Sequence, residues 1–407
     1  MSMSKKRIEN HIQDLRAFTA TPGNGVTRLT YSKEDLQARE YIKEQMEEYG
    51  LFVREDGIGN IFGKLEGTLK DGPSVIVGSH FDSVPNGGAY DGTAGVVVGL
   101  EVAALFKENN ITPKYPLEII AMIEEESSRF SGLMGSRGIV GSIDEADFKN
   151  QKDRDGISVT EAMSNAGLDA SKPVYRDPST MKAFLEMHIE QGPLLEESNV
   201  PIGVVQSIVG LTQLEVTIKG IAGHAGTTPM DRRSDALITA TTIISKLPQF
   251  AIDEGDGTVT TVGRVQVSPN GANVIPDNVY FTVDIRSGKA EKVLNVVNKV
   301  KELVASYNGN GIQTSVEQSL YIEPKALNPA IRSLLAEVSD DLDVPHSTMK
   351  SGAGHDAMVL SDVTDVGLIL VPSKDGISHS PDEFTSTEDL ARGATVLYEA
   401  AKKLTEE

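Results

Sequence analysis

Gly78-Ser79-His80-Phe81-Asp82-Ser83-Val84-Pro85-Asn86-Gly87-Gly88-Ala89-Tyr90-Asp91-Gly92 is the stretch on which the reading of this chain turns. The apolar run Val75-Ile76-Val77 leads into it as a short buried strand, so His80 falls where a strand ends and a glycine-rich loop begins. Open α/β sheets build their sites at the carboxyl ends of strands, where loops converge on a ligand. An imidazole and a carboxylate eleven residues apart in such a loop are suitable ligands for a borderline metal such as Zn²⁺ or Mn²⁺. Surface loops also carry such pairs, so the weight falls on three later segments.

Around this stretch the first half of the chain alternates helix and strand. Ser32 to Tyr49 carries Leu36, Tyr41, Ile42 and Met46 at helical spacing and stops at Gly50, a good helix C-cap. Strands are expected at Ile58–Leu65, Ser74–Ser79 and Leu117–Ile123, with a buried helix over Gly95–Phe106. This rhythm predicts an α/β sheet covered by helices on both faces. From Leu211 to about Ile322 the rhythm changes. Leu214–Lys219, Val259–Val267, Val279–Ile285 and Thr314–Ile322 read as strands, and Asp235–Phe250 and Lys289–Tyr307 as helices. The order β-α-β-β-α-β is that of a ferredoxin-like α+β unit. The expected architecture is a discontinuous α/β domain, 1–210 and 326–407, into which 211–325 is inserted. After the insert, Val366–Val371 reads as a strand and Ser386-Thr387-Glu388-Asp389 opens a capped C-terminal helix.

Composition narrows the function. The chain has 407 residues, enough for two cores, and its formal net charge of −21 argues against nucleic acid and against an anionic membrane surface. A small anionic substrate held by one arginine stays compatible. There are no cysteines, so any metal is held by His, Asp and Glu. The basic N-terminus lacks the apolar core of a signal peptide and no stretch approaches a membrane span, so a cytoplasmic protein is expected.

Three segments supply further donors. Glu124-Glu125-Glu126 follows the apolar run Ile119–Ile123, and carboxylates crowded at a buried strand end are costly unless something neutralises them. On an extended chain alternate side chains oppose, so one ligand and one general base is the expected division; a solvated acidic loop is the plain alternative. Phe184–Pro193 places His188 inside an apolar run, where a satisfied core histidine is the commoner case. Ser378-His379-Ser380-Pro381 follows the last strand as another strand-end histidine. His11 and His346 read as surface residues.

These segments together, with Gly88-Ala89-Tyr90-Asp91-Gly92 and Glu186–Pro193, resemble the hydantoinase/carbamoylase-type amidases, among the aminoacylase/carboxypeptidase-like dinuclear metallohydrolases. The resemblance covers essentially the whole chain, and its motifs occur in the family's order. It implies hydrolysis of linear amide or ureido C–N bonds of small carboxylates, N-carbamoyl-L-amino acids or allantoate. An aminoacylase or dipeptidase of the same fold is the alternative, and a non-catalytic binding protein a remoter one. It implies two divalent ions, Zn²⁺ or Mn²⁺ with Co²⁺ or Ni²⁺ as other options. By position Asp91 bridges them, His80 and His188 complete one site, Glu126 and His379 the other, and Glu125 is the general base. Ser127 departs from the glycine usual after the paired glutamates, at little cost unless the backbone there takes a positive φ.

The resemblance also assigns substrate contacts. His224, in Gly220–Pro229, would stabilise the oxyanion, with a turn histidine capping a helix as the competing reading. Arg286 would hold the α-carboxylate with Asn273 assisting, against a plain surface Asp284–Arg286 pair. Gln191 would face the carbamoyl or ureido group, and Gly354 and His355 would line the pocket. The inserted domain would act as a lid and form a homodimer across whose interface His224, Asn273 and Arg286 reach.

Overall fold

The computed structural model describes residues 2–143, 145–168 and 172–407. The chain divides into two compact units, one of residues 1–206, 327–349 and 355–407, the other of residues 207–326 and 350–354.

In the first unit the nine-stranded sheet orders seven of its strands as Phe52–Glu55, Ile61–Leu65, Leu117–Met122, Ser74–His80, Met181–Ile189, Asp365–Val371, Ile202–Ile208. The four central strands run parallel, and the flanking pairings are antiparallel. Every residue of Ser74–His80 and of Leu117–Met122 is buried. Burial of successive residues, which point to opposite faces, requires helices on both sides of the sheet. Thr93–Glu108 packs on these strands, joined by Ser2–Ala17 and Thr387–Glu406, the latter capped by the Ser386 hydroxyl accepting from Asp389 N–H. The shared core runs through Val75, Val77, Ile119, Ala121, Leu185, Met187, Ile369 and Val371.

All four parallel strands end on the same edge of the sheet, at His80, Met122, Ile189 and Val371. The loops that follow carry Asp91, the Glu124–Glu126 run, Gln191 and His379. The expected strand Ile58–Leu65 begins only at Ile61, because the Asp56 carboxylate gathers the N–H groups of Ile58, Gly59 and Asn60 into a turn.

The second unit has a four-strand antiparallel ladder, Val265–Ser268, Asn278–Ser287, Gly210–Lys219, Gln313–Ile322, with Val259–Thr261 also on Asn278–Ser287. Gly210–Lys219 and Asn278–Ser287 alternate in burial, so one face of the sheet is covered. Ala236–Ile244 and Ala290–Ser306 cover it, packing Ala240, Ile243, Val293, Val297 and Val300 on Leu214, Val216, Phe281 and Val283. The single helix expected at Asp235–Phe250 is two, Ala236–Ile244 and Leu247–Glu254, because Pro248 has no N–H to continue the first and suits the first turn of the second. The expected strand Val259–Val267 likewise breaks into Val259–Thr261 and Val265–Ser268. No helix among the described residues is long and apolar enough to cross a membrane.

One expectation is overturned. His11 is 4% exposed, on the helix Ser2–Ala17, with Nδ1 2.7 Å from Tyr41 Oη and Nε2 2.8 Å from Tyr49 Oη. Its neighbours Ile8, Ile12 and Leu15 form the apolar stripe that carries the whole face inward. His346 is half-buried rather than on the surface, 3.6 Å from Asp340.

Candidate metal centre

Asp91 is the hub of the strand-end cluster. Its Oδ1 lies 3.1 Å from His188 Nε2 and 3.6 Å from His80 Nε2, while its Oδ2 lies 3.2 Å from His379 Nε2. His379 Nε2 is in turn 3.3 Å from Glu126 Oε2. Three groups of donor atoms therefore converge, each within 4.8 Å: His80, Asp91 and His188; Asp91, Glu126 and His379; and His80, Glu125 and Glu126. Nitrogen and oxygen ligands of a Zn²⁺-sized ion bond at about 2.0–2.2 Å and so stand roughly 3–4 Å apart. The Asp91 pairs have that separation.

Several local features aim these atoms. His188 donates Nδ1–H to the Ile189 carbonyl at 2.9 Å, which leaves Nε2 the acceptor, taking the Gly92 N–H at 3.2 Å on the side that faces Asp91. Neither His80 ring nitrogen makes a hydrogen bond among the described residues, although the ring is buried and Asp82 Oδ1 faces Nδ1 at 3.3 Å. Glu126 Oε1 is likewise buried without a partner. Each such atom costs about 1–3 kcal/mol if nothing satisfies it, and a divalent cation between the imidazoles and carboxylates is the group these donors fit. The Asp82 oxygens also accept from Glu125 N–H at 3.1 Å and Glu126 N–H at 3.2 Å, so one carboxylate holds the glutamate loop beside His80.

The electrostatics agree. Burial would raise Asp91, but its contacts with His188, His379 and His80 hold it well below the usual carboxylate range. The same contacts, first with Asp91 and then with Glu126, lift His379 to about 10. Burial pushes Glu125 well above its ordinary value; His80 opposes this, and Glu126 and Asp356 add repulsion. A cation held by these donors would favour the ionised Glu125 carboxylate that a base requires.

The glutamate run is not extended, contrary to the premise that Glu125 and Glu126 oppose each other. Glu124 and Ser127 take φ of 49° and 55°, and Gln191 and His379 are also left-handed at 57° and 54°. Non-glycine residues held this way cost of order 1–3 kcal/mol each and cluster at sites. The bend brings both glutamates to one side, and it gives Ser127 the positive φ that glycine adopts freely.

His80, Asp91, Glu125, Glu126, His188, Gln191, His355 and His379 are all in the first unit. Gln191 Nε2 donates to Asp91 Oδ2 at 2.7 Å. His355 packs edge-to-face on His188, ring centroids 4.5 Å apart, and joins none of the three donor groups. His224, Asn273, Arg286 and Gly354 are in the second unit. His224 sits on the short strand Gly223–His224 opposite Val274, beside Asn273, whose carbonyl accepts from Ala225 N–H at 3.0 Å. Its Nδ1 accepts from Gly226 N–H at 3.1 Å, so the neutral ring carries its proton on Nε2, free to donate. Arg286 is half-buried, with Nε 2.9 Å from Asp284 Oδ1 and Nη1 3.3 Å from the Gly352 carbonyl. The surface-pair geometry weighed for it is therefore present. Sequence reasoning missed Asp82, two residues after His80, and Glu383, four after His379; spacing from a candidate ligand was the available signal.

Residues 76–403 match peptidase family M20/M25/M40. The chain is 42% identical to the N-carbamoyl-L-amino-acid amidohydrolase of Paenarthrobacter aurescens, over 98% of each chain. It is 36% identical to the allantoate amidohydrolase of Bacillus subtilis (strain 168), again over 98% of each. The solved structure of an amidase of the hydantoinase/carbamoylase family from Burkholderia multivorans superposes with a TM-score of 0.91 at 35% identity, covering 99% of this chain and 98% of that one.

Proposed function

The chain belongs to peptidase family M20/M25/M40, among its hydantoinase/carbamoylase-type amidases, and from that premise we propose that it is a metal-dependent amidohydrolase of N-carbamoyl-L-amino acids, with allantoate as the second candidate substrate. The observation that carries the reading is the single carboxylate of Asp91 turning one oxygen to His80 and His188 and the other to His379 beside Glu126. Those two sets, with Asp91 common to both, are the residues that would hold two divalent ions such as Zn²⁺ or Mn²⁺. The higher identity to a carbamoylase than to an allantoate hydrolase orders the two substrates.

When bound, the ions polarise the scissile carbonyl and acidify water. Glu125, 3.8 Å from His80, takes the proton of the attacking water and returns it to the departing nitrogen. His224 donates Nε2–H to the oxygen that gains charge. Arg286, with Asn273, forks onto the substrate carboxylate and releases Asp284 as it does so. Gln191, held against Asp91, presents its amide to the carbamoyl group. Atoms balance: an N-carbamoyl amino acid and water give the amino acid and carbamate, which decomposes to CO₂ and ammonia. The second unit, by the family resemblance, would supply the homodimer contact.

The test is ammonia release by chelated and Mn²⁺-reloaded protein offered N-carbamoyl-L-methionine, allantoate and N-acetyl-L-methionine, with deacetylation of the last followed separately. Metal-dependent turnover of the first supports the carbamoylase reading, and turnover of allantoate alone exchanges the substrate. Activity on the acetyl compound alone overturns the ureido assignment in favour of an aminoacylase.

A further inference from the structure

Glu383 is 5% exposed and sits four residues past His379. Its Oε1 accepts the N–H of Tyr90 at 2.9 Å and the N–H of Asp91 itself at 3.0 Å. Its Oε2 lies 2.9 Å from Ser378 Oγ, which in turn lies 3.0 Å from Asp91 Oδ2. One carboxylate thus grips the backbone of the hub residue, and Ser378 Oγ, whose single proton serves one acceptor at a time, stands between it and the very oxygen that faces His379. The loop is cut to fit: a Cβ on Gly88 would stand 2.0 Å from Glu383 Oε1, so that neighbour has to be glycine.

We propose that Glu383 is a positioning residue that sets the rotation of the Asp91 carboxylate, so that its two oxygens serve two different ions. The inference rests on the two-ion reading above. Two backbone N–H bonds fix where Asp91 begins, and the Ser378 hydroxyl fixes where its far oxygen ends. Between them the side chain has little freedom left to turn. Because Asp91 is common to both donor sets, loosening it weakens both ions together, whereas loss of a ligand private to one set would weaken one.

The experiment is competition of Zn²⁺ between an indicator chelator and the full-length protein, comparing the parent chain with Glu383→Ala, Glu383→Gln and Ser378→Ala, with circular dichroism confirming the fold. Outer-shell partners of this kind are typically worth about 10–100-fold in metal affinity. Glu383→Ala is expected to lose that factor at both ions, and Glu383→Gln to recover to within about threefold, its amide oxygen still accepting the two N–H groups. If Glu383→Ala does not fold, Ser378→Ala carries the test, with an expected loss of about tenfold. A parent chain that binds two ions, matched in affinity at both by folded Glu383→Ala or, failing that, by Ser378→Ala, overturns this inference alone. A parent chain that binds none overturns the two-ion reading and this inference with it.

Discussion

Gly92 lies directly beneath the His80 imidazole: a Cβ there would come within 2.3 Å of ring atoms Cε1 and Nε2. Gly92 also has φ +59° and precedes the helix Thr93–Glu108 immediately after Asp91. The backbone must pass close under one candidate ligand to deliver the other. Gly92→Ala is therefore expected to displace the His80 ring and reduce kcat/KM by more than about 100-fold, the scale on which small misplacements in a site are felt. Steady-state kinetics with metal analysis of the purified variant checks this, and normal values for both contradict it.

Ser127 offers the opposite case. Its φ of 55° costs an L-residue about 1–2 kcal/mol, against about 0.4–1 kcal/mol of extra unfolded-state entropy that glycine would bring. Ser127→Gly is expected to stabilise the chain by roughly 0.5–1 kcal/mol, read as a higher denaturant midpoint at unchanged slope. A lower midpoint would mean that the serine is held by something beyond its backbone angle.

Glu125→Gln separates base from ligand. Metal affinity should stay within a few-fold of the parent, while kcat/KM falls roughly 10²–10⁴-fold, the usual worth of a positioned base. Near-parental turnover moves the proton transfer to another residue.

His11 gives a pH dependence remote from the metal centre. Burial pushes its imidazole down to about 4, with Asp14 opposing and Arg7 adding to the fall. Tyr41 Oη donates to Asp14 at 2.9 Å and so accepts from His11 Nδ1–H, leaving Nε2 to accept from Tyr49; the neutral ring is fully satisfied. The unfolded chain takes up this proton near pH 6.5 and the folded chain only near 4. Stability from this group is therefore complete above pH 6.5 and declines as pH falls to about 4, by about 3 kcal/mol in all. Chemical denaturation of parent and His11→Gln across pH 4–7 checks this; equal slopes in the two contradict it.

Much of the site was legible because strand-end chemistry is local. The apolar runs before His80 and Glu124 announce where the chain leaves the sheet, and the residues that follow are the cluster. Side-chain networks that join distant segments were not legible. Asp82 matters through the amides of Glu125 and Glu126, and Glu383 through an amide 292 residues away. The misplacement of His11 had a simpler origin. Ile8, Ile12 and Leu15 repeat at helical spacing, but acidic and amide residues fill the gaps between them and Lys5-Lys6-Arg7 precede them, so the stripe is short and its inward face is not evident from composition. Pro248 divides an apolar run that is otherwise continuous at helical spacing, so periodicity alone joins the two helices.

The most direct test of the central claim is a count of ions. Chelated protein titrated with Mn²⁺ or Zn²⁺, followed by calorimetry and by hydrolysis of N-carbamoyl-L-methionine in the same samples, should bind two ions per chain and gain activity as they fill. Full activity in the chelated protein, or saturation with a single ion, would contradict a centre built on both oxygens of Asp91.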